Sequence, residues 1–354
     1  MKLLNKFLGL AILLALFSTS CSSDDDATTT GQVPSAPLGA YENGNFILNE
    51  GSSAATAGVD FLSDEGVLTS DVFRIENPDE DELGLFLQNI FFDDTRAFII
   101  SGGTSTVTVV NRYTFEYITT IATDFDNPRY GIVANGKAYV TNQAGFSTGA
   151  DDFVTVINLT NYSTSTVLIG DYMDRITFAG NTVVIANGAF GSGNAITFLN
   201  TSDNTFQTLD LGAGNSPNSL VSVDNNVYAL TGSNKFFQID VTTISLTNTI
   251  DIPAAISDVK NLQIENDEVY FTADTSVYSF SLGDTSVSTT PLFTYNSTSQ
   301  FGAMYGFSVS DNSIFIGDAG DFASAGTFFE YTTAGILVNS YTSSGVGPNG
   351  FYNN

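Results

Sequence analysis

Six short polar turns set the rhythm of this chain. They centre on Asp94, Asn135, Gly180, Asn225, Asn266 and Asn312, at intervals of 41, 45, 45, 41 and 46 residues. A repeat of that length is one supersecondary unit, too small to bury its own apolar face and therefore obliged to stack on copies of itself. The segments flanking the turns are strand-like: 106–110 (TVTVV), 226–230 (NVYAL) and 268–272 (EVYFT) are short, rich in β-branched or aromatic residues and largely alternating. Turns of Asp, Asn and Gly between such segments suit two-residue hairpins, whose backbone enters the left-handed region. Residues 219–223, 227–230, 236–240 and 247–252 form one complete unit, a four-stranded antiparallel blade.

Six turns give six blades, and the two ends of the repeat region hold the pieces of a seventh. Residues 45–73 supply three strands but lack an inner one. Residues 347–352 (GPNGFY) look like the inner-strand entrances at 127–131 (NPRYG) and 216–219 (SPNS). The expected fold is therefore all-β: a seven-bladed β-propeller of four-stranded antiparallel blades over residues 41–354, its ring closed by the C-terminal strand. Closure of that kind removes a free sheet edge.

Ahead of the repeats, residues 1–20 carry Lys2 and Lys6, an apolar run and small residues, the pattern of a secretory signal peptide. The apolar run is too short to span a bilayer. Cys21, the sole cysteine, follows the small residues at the expected cleavage point and is expected to become a lipidated N-terminus. Residues 21–40 read as an acidic flexible tether. Asp24, Asp25 and Asp26 resemble the signal that sends lipoproteins of Bacteroidota to the outer face of the outer membrane. The expected location is thus a lipid anchor in the outer membrane, facing the cell exterior. With 38 acidic against 10 basic residues, the chain repels nucleic acid.

The sequence has no histidine, and its one thiol is assigned to the lipid. The commonest catalytic bases, nucleophile pairs and transition-metal sites are therefore out of reach. Catalysis by carboxylates alone stays open in principle, but the acids are spread over every blade and no pair stands out. The expectation is a non-enzyme with no cofactor and no dedicated metal site. Calcium remains an open question at residues 77–82 and 317–321, whose acids lack the spacing of a dedicated calcium loop.

In a propeller, the loops entering the inner strands and those joining second to third strands open on one face. The second-to-third-strand loops at 50–58, 142–151, 187–194 and 317–326 are long and rich in small residues. Three carry a central aromatic, Phe146, Phe190 and Phe322, which either tucks onto its own blade or meets a ligand. The inner-strand entrances hold Gln88, Arg129 with Tyr130, Arg175, Asn218, Lys260, Tyr305 and Asn349. Scarce basic residues thus gather at one structural position. Either they pair with nearby acids such as Asp174, or they form a less negative funnel suited to a large polar ligand with amide or phosphate groups.

Residues 44–51 (GNFILNEG), 87–88 (LQ), 127–131 (NPRYG) and 136–142 (GKAYVTN) are similar to YncE-like β-propeller lipoproteins of Bacteroidota. Within that group the chain resembles the BtuG-type surface cobalamin-binding proteins, from about Tyr41 to the C-terminus. The resemblance implies capture of a corrinoid nutrient and its delivery to a TonB-dependent outer-membrane transporter. A propeller also serves as a docking platform, so binding of a surface protein or glycan is the alternative expectation.

Overall fold

The computed structural model describes residues 37–354 apart from Thr56, Phe146 and Thr298. The leader, Cys21, most of the tether and Phe146 therefore lie outside the described residues. From Leu38 onward, strands assemble into seven four-stranded antiparallel sheets. Their inner strands, in ring order, are Pro348–Asn353, Leu87–Phe92, Pro128–Ala134, Ile176–Ala179, Pro217–Val223, Lys260–Glu265 and Gly306–Ser310. We number the blades 1 to 7 in that order. Each inner strand packs against the next, and that of blade 7 packs against that of blade 1.

Each of the six turns read from sequence joins an inner strand to the second strand of its blade. Asn135 and Gly136 (φ 49° and 75°), Asn266 and Asp267 (51° and 62°), and Asp311 and Asn312 (50° and 62°) all occupy the left-handed region. Two consecutive positive φ values define the hairpin turn whose twist matches that of the strands, so the residue types and the geometry agree.

Blade 1 joins two distant parts of the chain. Its inner strand, Pro348–Asn353, pairs with Gly44–Asn49 through partners such as Asn45 with Asn353 and Ile47 with Phe351. Phe351 is the apolar anchor, stacking on Phe315 at 5.5 Å and tilting against Phe328 at 5.7 Å, both in blade 7. A polar latch sits just ahead of the strand. The buried Asp60 carboxylate accepts from the Ser344 amide at 2.8 Å, from the Ser344 hydroxyl, and from Asn49 Nδ2 at 3.0 Å. Blade 7 approaches so closely that a Cβ on Gly317 would fall 2.0 Å from the Pro348 carbonyl oxygen, which only glycine permits.

One detail departs from the sequence reading. Residues 45–73 do contain three strands, but the outer one is only Leu68–Thr69, and a short helix, Val72–Glu76, follows. Asp71, at φ 45°, caps that helix by accepting from the Arg74 amide at 3.4 Å. Val72 and Phe73 then enter the core against Phe46 and Phe61, so burial of the helix takes over from strand pairing.

Candidate functional site

Each inner strand starts at the same end of the central channel, so the residues at its entrance form a ring. Below them lies a cavity of about 190 Å³ lined by residues from all seven inner strands, among them Asn89, Tyr130, Arg175, Gln263, Ser308 and Tyr352. That is below the roughly 300–1,000 Å³ of ordinary small-molecule pockets, so any larger ligand must rest on the mouth.

On one side of the mouth the entrances of blades 7, 2, 3 and 4 converge on two carboxylates. Glu50, from the second-to-third-strand loop of blade 1, accepts from the Tyr305 hydroxyl and from Gln88 Nε2 at 3.2 Å. Burial pushes the Glu50 carboxyl above the usual carboxylate range, against those two hydrogen bonds and the charge of Arg129. The same burial and the Glu50 charge drive the Tyr305 hydroxyl far above its ordinary value. Asp174 lies between Arg129 Nε at 3.5 Å and Arg175 Nε at 3.9 Å, and it also accepts from Gln143 Nε2 at 3.4 Å.

The two guanidinium groups differ in their freedom. The Arg129 side chain is 20 % exposed and its Nε bonds Asp174. Arg175 is 39 % exposed, its carbon lies 4.2 Å from the centre of the Tyr130 ring, and its Nε has no hydrogen-bond partner. A cation stacked on an aromatic face keeps its in-plane N–H donors directed outward. Arg175 therefore keeps a partly exposed guanidinium on the channel cavity, with Nε itself buried and unbonded.

At the entrances of blades 5 and 1 the same positions are occupied differently. Asn218 Nδ2 donates to the Val259 carbonyl at 2.7 Å, and Asn349 Nδ2 to the Leu87 carbonyl at 2.7 Å. Each thereby ties the entrance of its own blade to that of the next. Asn261 repeats the arrangement on the Met304 carbonyl at 3.2 Å, and Gln143 repeats it on the Met173 carbonyl at 2.7 Å. Lys260 stands beside this group; burial lowers the pKa of its ammonium, opposed by the charges of Asp258 and Asp274.

The aromatic residues gather on the same face. Phe322 sets its ring edge-on to Tyr305 at 4.9 Å, and Phe190 lies exposed at the tip of its loop in blade 4. Phe301, 79 % exposed, and Phe86 complete the rim. Neither belongs to the residues singled out from sequence, nor does Glu50. The signal for the two phenylalanines was an apolar ring a few residues ahead of an inner strand. Glu50 showed only as the start of a long loop and within GNFILNEG, and its role stayed hidden because its partners lie 38 and 255 positions away.

The fold is shared by solved structures of low sequence identity. A functionally unknown protein from Desulfotomaculum acetoxidans is 12% identical, with a TM-score of 0.65 over 87% of this chain and 97% of that one. The computationally designed Ika8 protein is 16% identical, with a TM-score of 0.56 over 89% and 91%. BamB from Moraxella catarrhalis is 16% identical, with a TM-score of 0.52 over 88% and 85%. No curated protein matches. The match to a described family runs over residues 43–334, from blade 1 through the third strand of blade 7, and it places this β-propeller in the family described as Domain of unknown function (DUF5074).

Proposed function

We propose that the chain is a non-enzymatic capture protein that holds a polar ligand over the channel mouth. The observation that carries this reading is Arg175: a partly exposed guanidinium lining the channel cavity, stacked on Tyr130 and 3.9 Å from its nearest carboxylate. Arg129, Tyr305 and Gln88 surround it with further polar groups, and Phe301 and Phe322 offer flat apolar contact at the rim. Donors and aromatic faces together suit a large ligand that carries amides or phosphate. The resemblance to BtuG-type proteins makes a corrinoid, with cobalamin first, the favoured cargo. On this reading Cys21 anchors the chain by lipid to the outside of the outer membrane, and a TonB-dependent transporter receives the cargo. Neither cofactor nor calcium takes part.

The exposure of Phe301 on the same face supports the second reading, in which the rim docks another protein or a surface glycan. Isothermal titration of the purified chain with cyanocobalamin and with cobinamide separates the two. Saturable one-to-one binding that weakens at least tenfold in the Arg129→Ala, Arg175→Ala double variant is the expected result. No heat and no thermal shift with either compound would favour docking.

A further inference from the structure

The polar bonds behind Arg175 lead back to one buried carboxylate. Asp152 closes the second-to-third-strand loop of blade 3 and is only 1 % exposed. Its Oδ1 accepts from the Ala144 amide and its Oδ2 from the Met173 amide, each at 3.1 Å. Ala144 follows Gln143 and Met173 precedes Asp174, and the Gln143 and Asp174 side chains meet at 3.4 Å. Asp174 in turn lies between Arg129 and Arg175. The two segments are pressed together: a Cβ on Gly149 would fall 2.1 Å from the Tyr172 nitrogen. One side chain thus ties the loop of blade 3 to the entrance of blade 4, and it uses both of its oxygens to do so.

The charge on Asp152 is poorly supported. The charged groups that act on it are Asp151 in its own loop and Asp171 on the segment entering blade 4, both acids, and among the described residues no base pairs with it. Burial, aided by those two charges, pushes the carboxyl up to about 6 against the pull of the two amides. Protonation turns one carboxyl oxygen into a donor, so the group can no longer accept from both amides and one of the two bonds opens. We propose that Asp152 is a positioning residue for the channel mouth: ionised, it locks Gln143 and Asp174 in place and with them Arg129 and Arg175, and protonated, it lets them shift. The consequence for cargo rests on the capture reading above. Ligand is held more tightly above about pH 6 than below it.

The test has one arm without ligand and one with it. In the first, amide hydrogen exchange of the purified chain is followed from about pH 7.5 to about pH 5, corrected for the intrinsic pH dependence of exchange. Protection should fall at Ala144 or Met173 while that of Val140, in the preceding strand of blade 3, stays constant. In the second, cyanocobalamin is titrated calorimetrically over the same range. Wild-type affinity should fall about three- to tenfold on acidification, the worth of one hydrogen bond. Asp152→Asn, which carries one acceptor and one donor at every pH, should bind at neutral pH as weakly as the acidified wild type and show no such step. Unchanged protection at both amides, or a loss shared equally by Val140, overturns the proposal, and so does an affinity that falls alike in the two proteins. Absence of any cyanocobalamin binding would end the cargo reading and leave the exchange arm to decide on Asp152.

Discussion

Asn218 and Arg175 both stand at the entrance to an inner strand, on blades 5 and 4, yet the molecule uses them in opposite ways. The Asn218 amide reaches sideways to the Val259 carbonyl and is spent on holding blade 5 to blade 6. Arg175 rides over the Tyr130 ring, lines the channel cavity and stays 39 % exposed. A short amide meets the neighbouring backbone before it meets the channel, whereas a guanidinium on a longer stem passes that backbone and carries its donors beyond it. The entrance of the strand thus decides where a polar side chain sits, and its reach decides whether a neighbouring carbonyl engages it.

The most severe way to break this contrast is to remove a member of the first class together with its strand. Deleting residues 347–354 takes away Asn349, Phe351 and the inner strand of blade 1, leaving Gly44–Asn49 as an open edge. Circular dichroism should show loss of the cooperative thermal transition. An unchanged melting temperature would mean that the strand only decorates a ring held by other contacts. Phe351→Ala alone should cost about 3–5 kcal/mol, because it empties a packed aromatic site in blade 7.

Next in size is Asn218→Ala, which leaves the Val259 carbonyl without its donor and should cost about 1–3 kcal/mol in denaturant unfolding, with no change in ligand affinity. Arg175→Ala should do the reverse. Its nearest acid is 3.9 Å away and the side chain is 39 % exposed, so the stability loss should stay within about 1 kcal/mol while the affinity falls. If both variants lose stability equally, the division into ring-holding and ligand-facing residues fails.

The smallest effect concerns pH. Glu50 is held above the ordinary carboxylate range by burial, so the folded protein keeps its proton longer than the unfolded chain does. The stability this contributes is fully present below about pH 4.3, the unfolded value, and is lost as pH rises through the folded one. Glu50→Gln should remove that share of the decline. Unfolding curves of the two proteins should draw together toward pH 4 and separate above it, the variant being the less pH-sensitive. Parallel curves would show that Glu50 titrates alike in the folded and unfolded states.

Much of this was legible in the chain, for physical reasons. Hairpin turns need Asn, Asp or Gly at fixed places, so residues such as Asn135 and Asp267 announce the blade period directly. The likeness of residues 347–352 to other inner-strand entrances identified the closing strand, because the same backbone environment recurs there. The mouth was legible only as a list of positions. That Asn218 and Asn349 face carbonyls while Gln88 and Tyr305 share Glu50 depends on which blades are neighbours and how far each side chain reaches. The three strands within 45–73 were legible but the helix after them was not, because Val72 and Phe73 are apolar enough for either a strand or a buried helical turn.

The closure of blade 1 also orders events in time. Its latch joins Asp60 to Ser344, 284 positions further along. During synthesis the first three strands of that blade emerge early and must wait, one edge bare, while six whole blades are made. Pairings so distant in sequence form slowly. A nascent chain therefore stays incompletely locked through most of its production, a state that a protease can still cut and in which an aggregating neighbour can still pair with the bare edge. Completion of the ring ends both opportunities in a single late step.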